Sequence, residues 1–270
     1  MRLAPGKCRN QAESAVSGGV AHDDRFPVVP LACPPRSCET DGRSTVMKVH
    51  SRHPWNLTYQ EAVSLQNELR DKVHLRPLSL KSIRFVAGCD IAIDKAGGLL
   101  YACVVVLAFP SLELLETRTV TSALTFPYIP GLLSFREIPG LIECFALVES
   151  RVDVVLCDGQ GIAHPRGLGL ASHLGLLLRK PTVGCAKSLL VGEYDDVALP
   201  RGSFSPLVYK GSRVGSVLRT QDGIRPLFVS PGHLIDQASS RRIVLSCAPK
   251  YRLPEPTRLA DRRAGEAKRG

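Results

Sequence analysis

Apolar and polar positions fall into distinct regimes along the chain, and each regime predicts an element. Thr58-Tyr59-Gln60-Glu61 has the form of a capping box, whose Thr oxygen and Glu carboxylate satisfy free amides at a helix start. Ala62, Leu65, Leu69 and Val73 then recur on one helical face. Three strand-like runs follow at 83–93, 99–109 and 113–123, the first two joined across the hairpin signal Gly97-Gly98. Residues 139–150 predict a helix and 152–158 a continuous apolar strand of the fully buried kind. Beyond them come a helix over 169–178, a short strand over 182–185, a hairpin turn at Asp222-Gly223 and a closing helix over 234–247. Three consecutive strands followed by alternating helix and strand predict one mixed α/β sheet flanked by helices. Its antiparallel part comes first and its parallel part after.

No such periodicity precedes residue 47. Residues 5–45 are rich in Pro, Gly, Ser and charge, which predicts a disordered tail over 1–46. Met47 stands just ahead of the first patterned segment, so translation from Met47 is the alternative for that stretch. Cys33-Pro34-Pro35-Arg36-Ser37-Cys38 has the look of half a metal site, but no second half is near it. The expected organisation is one domain over 47–263 with a basic tail over 264–270.

Composition narrows the class. Of 270 residues, 44% are apolar and 22% charged, the balance of a globular chain. The longest apolar run, Leu99–Phe109, is eleven residues, far short of the ~20 that cross a membrane. Nine cysteines, an odd number with no C-x-x-C pair, do not form a secreted disulfide framework. With no signal-peptide pattern after Met1, a cytoplasmic location is expected.

Three carboxylates occupy costly places. Asp90 interrupts the apolar run 85–93, Asp158 ends the strand 152–158, and Glu137 lies in Leu132-Leu133-Ser134-Phe135-Arg136-Glu137-Ile138, taken as a loop. One such residue is most simply a salt bridge or a cap; three together point to one metal cluster, and hard oxygen ligands suit Mg²⁺, with Mn²⁺ able to substitute. After Asp158 comes Gly159-Gln160-Gly161-Ile162-Ala163-His164-Pro165-Arg166-Gly167. This is not a dinucleotide loop, since G-x-G-x-x-G requires Gly where His164 stands. His164 reads either as a loop histidine or as a member of the same site. Pro127-Tyr128-Ile129-Pro130-Gly131 is a stiff, proline-bracketed aromatic, either a wedge between bases or a buried loop aromatic.

Taken together, these motifs resemble the endonuclease V (deoxyinosine 3′-endonuclease) family. The resemblance is carried by Ala87-Gly88-Cys89-Asp90, by the 127–131 turn continuing into Ser134-Phe135-Arg136-Glu137, and by 158–166. It continues through Gly169–Gly175, Pro181–Lys187, Ser230-Pro231-Gly232-His233 and Arg252–Arg258, covering about 55–263. Cys89 and Cys185 stand where the family pattern has aliphatics.

The resemblance implies a ribonuclease H-like fold and a metal-dependent endodeoxyribonuclease of DNA repair. Such an enzyme binds a deaminated base, hypoxanthine above all, and cuts the second phosphodiester 3′ to it with Mg²⁺. Position by position, Asp90, Glu137 and Asp158 match the metal-binding acids. Tyr128, with Pro127, Ile129, Pro130 and Gly131, matches the strand-separating wedge. His164, Lys187 and His233 match further active-site positions, and Asp236 reads either as a fourth carboxylate or as the cap of the last helix, the cap being preferred. The implied partner is DNA containing deoxyinosine or other deaminated bases, acted on by a monomer away from membranes. Two rivals stand beside this: a related nuclease for inosine-containing RNA or junctions, and a nucleic-acid-binding module without catalysis. The net charge of +10 is modest and reads as ordinary solubility, but its clustering, with seven basic against three acidic groups over 249–270, points to extra phosphate contacts.

Overall fold

The structure, a computed structural model, describes residues 47–50 and 53–270. The expectations for the 1–46 segment and its Cys33/Cys38 pair lie outside the described residues.

The capping box forms as read. Thr58 accepts from the Glu61 amide and Glu61 reaches back to the Thr58 amide, which starts α1 (Tyr59–Arg70). The three strand-like runs become β1 (Phe85–Asp94), β2 (Leu99–Ala108) and β3 (Leu114–Ala123), paired antiparallel. Next come α2 (Leu133–Ala146), β4 (Val154–Cys157), α3 (Leu170–Leu178) and β5 (Thr182–Ala186), with β4 parallel to both β1 and β5. β6 (Phe204–Tyr209), β7 (Ser212–Leu218) and β8 (Leu227–His233) then extend the sheet antiparallel, before α4 (Gln237–Cys247) and α5 (Glu255–Arg269). The eight strands run β3-β2-β1-β4-β5-β8-β7-β6.

Alternation along each strand sorts the core into two faces. Ala87 and Cys89 of β1, Ala102 and Val104 of β2 and Val155 of β4 pack against Ile138 and Leu141 of α2 and Leu174 of α3. The intervening residues face the other way. Val86, Val154 and Val183 meet Ile243 and Val244 of α4, while Cys103 and Val105 meet Ala260 and Ala264 of α5. Cys89, Cys103, Cys144, Cys157, Cys185 and Cys247 are buried free thiols that fill this core as small hydrophobes.

Three expectations need correcting. The helix predicted at 139–150 begins six residues earlier and carries Pro139 in its interior. Proline costs that turn a backbone hydrogen bond, but Phe135, Ile138, Leu141 and Phe145 are fully buried on the same helix. That burial outweighs the loss, and it puts Glu137 on a helix instead of a loop. Second, 264–270 is no tail: α5 runs to Arg269, with Ala264 fully buried. Third, α4 starts at Gln237 because Asp236 caps it, its carboxylate accepting from the Ser239 amide at 2.7 Å. Among the described residues no helix is long and apolar enough to cross a membrane.

Candidate active site

Two adjacent parallel strands position the first pair of acids. Cys89 and Cys157 are register partners in β1 and β4, and the Asp158 amide donates to the Cys89 carbonyl. Asp90 and Asp158 follow directly, side by side where the parallel pairing stops. Both are one residue out of phase with the thiols that face α2 and α3, so both carboxylates look toward α5. This is the carboxyl end of the strands, where open α/β sheets carry their sites.

The second pair comes from the helices. Glu137 projects from α2 close enough to Asp90 and Asp158 to feel both charges. Asp261 projects from α5, with its Oδ2 3.5 Å from the Lys187 ammonium. α5 is drawn this near the strand because of Gly88: any Cβ there would meet the Pro256 carbonyl carbon at 2.1 Å. Lys187 follows β5, and its Nζ lies 2.5 Å from Asp158 Oδ2.

The electrostatics are those of an uncompensated acidic cluster. Burial, then the facing Asp158 and the more distant Asp261, pushes the Asp90 carboxyl up to about 8; the Ile91 amide and Lys187 offset only part. Burial, with Asp90 and Asp158, likewise pushes Glu137 up to about 8. Burial works against the Lys187 ammonium, but the contact with Asp158 and the attraction of Asp261 and Asp90 hold its pKa above the usual lysine value. As the side chains stand, no three or more His, Cys, Asp or Glu among the described residues close on a metal-holding geometry. The donor chemistry nonetheless fits a hard divalent cation. Four carboxylates converge, burial and mutual repulsion push two of them up to about 8, and the nearest cation is a side-chain ammonium.

Beside the acids opens a cleft of about 420 Å³, bounded by Tyr128, Gly131, Asp158, His164, Lys187 and Leu190. The 127–131 turn is anchored from below, where Phe126 is buried against Phe135 with ring centroids 5.8 Å apart. Tyr128 itself is 68% exposed, with the Arg136 guanidinium 5.9 Å from its ring centroid. It is therefore not a buried loop aromatic. A clamp fixes the turn at Gly131, whose φ of +79° suits glycine. Its carbonyl accepts from Gln66 Nε2 at 2.9 Å and from Arg166 Nη2 at 2.7 Å, and Arg166 Nε also donates to Gln66 Oε1.

His164 belongs to this wall. Its Nδ1 accepts from the Arg166 amide at 3.2 Å, and burial, reinforced by the Arg166 charge, lowers its pKa to about 4 despite a contact with the Gly131 backbone. The ring is neutral and ties two loops of the cleft together. His233 is not brought to the cluster. It pairs with Thr182 at the start of β5, whereas Lys187 follows its end; five residues of strand put the two roughly 16 Å apart. The Pro231-Gly232-His233 motif serves packing there, with the His233 amide donating to Thr182 Oγ1 at 3.0 Å.

Asp261, Gln66 and Arg166 are the site residues not singled out from the sequence. The signal for Asp261 is a single acid among Arg258, Arg262 and Arg263 in a helix whose buried face has only small residues. Gln66 gives a fainter one, a polar residue on the apolar face of α1, where it is 1% exposed.

A buried carboxylate cluster at the carboxyl ends of a mixed sheet, beside an open cleft, defines a hydrolytic site of the nuclease kind. The endonuclease V family model matches residues 67–262. Endonuclease V of Nostoc sp. is 48% identical over 218 residues, 81% of this chain and 99% of its own length. That of Dehalococcoides mccartyi is 49% identical over 222 residues, covering 82% and 98%. Among solved structures, endonuclease V of Streptomyces avermitilis superposes with a TM-score of 0.77 at 40% identity, covering 82% of this chain and 98% of that one. Endonuclease V of Ciona intestinalis, in complex with a 23mer DNA containing an inosine followed by a ribo-adenosine, gives 0.71 at 27%, covering 79% and 99%. The chain belongs to the endonuclease V family of nucleases, with the ribonuclease H-like fold of those structures.

Proposed function

We propose that this protein is a DNA repair endonuclease that binds a deaminated base, hypoxanthine above all, and hydrolyses the second phosphodiester on its 3′ side with Mg²⁺. The observation that carries this reading is the juxtaposition of the acidic cluster with a base-sized cleft under an exposed, proline-bracketed aromatic. The inosine-containing DNA bound by the Ciona relative supports the choice of ligand.

Asp90, Glu137, Asp158 and Asp261 would hold the divalent cation, which supplies Lewis-acid stabilisation of the leaving oxygen and a more acidic water. The rest falls to this chain. Lys187 stays protonated at neutral pH and adds positive charge against the phosphate as its negative charge builds. Tyr128 stacks where a base has left the helix, at a cost that is least for a mispaired base. The Gln66–Arg166 clamp keeps the turn from yielding when it is pushed against the duplex. Gly169 lets the start of α3 lie against the Gln160 and Gly161 carbonyls, which holds the cleft wall together.

The test is to map the cut on end-labelled duplexes holding one deoxyinosine, in Mg²⁺. The expected product ends at the second phosphodiester 3′ to the lesion. Cutting confined to a matched strand of inosine-containing RNA would replace the DNA substrate with the RNA one, and no cutting of either would refute a nuclease role at this site.

A further inference from the structure

A second hollow, of about 250 Å³, shares Lys187, Ser188 and Leu189 with the cleft and is closed by Tyr194, Arg225 and Arg252. Its chemistry is distinct. The cleft wall is largely apolar, whereas two guanidiniums line this hollow; burial and then the neighbouring Arg225 charge lower the Arg252 pKa, and Asp158 offsets part of this. Among the described residues neither is in an ion pair. Arg252 is pinned: its Nη2 donates to the carbonyls of Lys187 and Pro226, both at 2.9 Å, while its Nε is buried without an acceptor. Arg225 is exposed beside it. Tyr194 closes one side, edge-on to Phe228 at 5.6 Å between centroids.

Holding two like charges together costs free energy that Asp158 offsets only in part. An oxyanion placed between them would relieve the repulsion and take charge-assisted hydrogen bonds from both. The strand that fills the adjoining cleft carries such an oxyanion at every nucleotide. We propose that Arg225 and Arg252 bind a backbone phosphate of the strand being cut, outside the lesion and outside the scissile linkage. This rests on the nucleic-acid reading above and extends it, giving the enzyme a hold on the strand that does not depend on the damaged base. Arg252, pinned to the Lys187 carbonyl, links that hold to the segment that bears Lys187.

Binding to an inosine-containing strand in Ca²⁺, chosen to suppress cutting, tests this with Arg225→Ala, Arg225→Lys and the remote surface control Lys81→Gln. Arg225→Ala is expected to weaken binding about tenfold and to flatten the salt dependence by about one phosphate contact. Arg225→Lys recovers most of the affinity, and Lys81→Gln changes it little. Single neutral methylphosphonates are then placed along the strand. One position should weaken wild type about as much as Arg225→Ala does, and have no further effect in that variant. Additive losses at every position, or an Arg225→Ala loss no larger than that of Lys81→Gln, would overturn the proposal and leave the nuclease reading intact. Failure of wild type to bind the inosine strand would overturn both.

Discussion

Polar side chains gather at both ends of the parallel strands β1, β4 and β5, and the two ends treat them differently. At the amino ends Asp153, Thr182 and His233 each have partners. Asp153 accepts from the Arg84 amide at 2.8 Å, the Phe85 amide at 3.1 Å and Arg151 Nε at 2.8 Å. Thr182 Oγ1 donates to the Ala171 carbonyl and accepts from the His233 amide, and His233 Nδ1 accepts from the His74 amide. At the carboxyl ends Asp90, Glu137, Asp158 and Asp261 face one another; Lys187 pairs with Asp158 and Asp261, while Arg136 only partly offsets the charge on Glu137. Burial with satisfied bonds adds stability. Burial of like charges against one another marks a site poised to bind something else.

The largest effect that follows is on chemistry at the carboxyl end. Asp90→Ala and Asp158→Ala should each reduce cleavage in Mg²⁺ to background, since each removes a ligand from between the strands. Neither should unfold the protein, because each also removes a source of repulsion. Asp261→Ala, taking one acid from the rim of the cluster, should lose less. Near-normal cutting by either inner variant, measured on the deoxyinosine duplex, would show that the cluster is not the catalytic centre.

Next in size is recognition. Tyr128→Ala loses base–aromatic stacking worth ~1–3 kcal/mol, roughly one to two powers of ten in affinity. Its melting temperature should not move, because an exposed ring contributes little to the core. Tyr128→Phe keeps the ring and should bind nearly as wild type. Titrations in Ca²⁺ with both variants check this, and unchanged affinity in Tyr128→Ala would end the wedge role.

How far these two ends were legible in the sequence depended on what marks each element. β1, β2 and β4 announce themselves by apolar runs, and a carboxylate inside or at the end of such a run stands out, as Asp90 and Asp158 do. α5 has no such mark. Its buried positions are Pro256, Thr257, Ala260 and Ala264, which carry almost no hydrophobic signal and act by letting the helix lie against Gly88. Asp261 was hidden with it. α2 was displaced because Pro139 reads as a helix start, and only the packing of Phe135 and Ile138 shows that the helix runs through it. His233 misled for a third reason. Its motif is local, whereas the antiparallel register that carries it to the far end of β5 is a property of the whole sheet.

The amino end can be broken to sharpen the contrast. Asp153→Ala strands two backbone amides at the start of β1, at a cost of about 1–3 kcal/mol, or roughly 2–10 °C in melting temperature for a domain of this size. The protein that remains folded should cut at the wild-type rate. A loss of specific activity with an unchanged melting temperature would mean that the two ends are not separable in this way.

The smallest effect has the opposite sign and appears only with pH. Asp90 and Glu137 are both pushed up to about 8 in the folded, metal-free protein, against about 4 for free carboxyls. Between those values the folded state keeps protons that the unfolded chain has released. Stability in EDTA should therefore fall as pH rises from about 4 to about 8 and be level, as far as these groups go, on either side. Asp90→Asn removes one of the two groups and relieves Glu137 of a neighbouring charge. Its melting temperature in EDTA should match wild type near pH 4 and exceed it by a few degrees at pH 8, at roughly 2–4 °C per kcal/mol. Saturating Mg²⁺ should reverse the order at pH 8, because binding to the folded state stabilises wild type more than a variant lacking a ligand. Melts at pH 4, 6 and 8, with EDTA and with Mg²⁺, give the comparison. A variant less stable than wild type in EDTA at pH 8 would mean that Asp90 is paired in the folded protein and that the carboxyl end is as satisfied as the amino end.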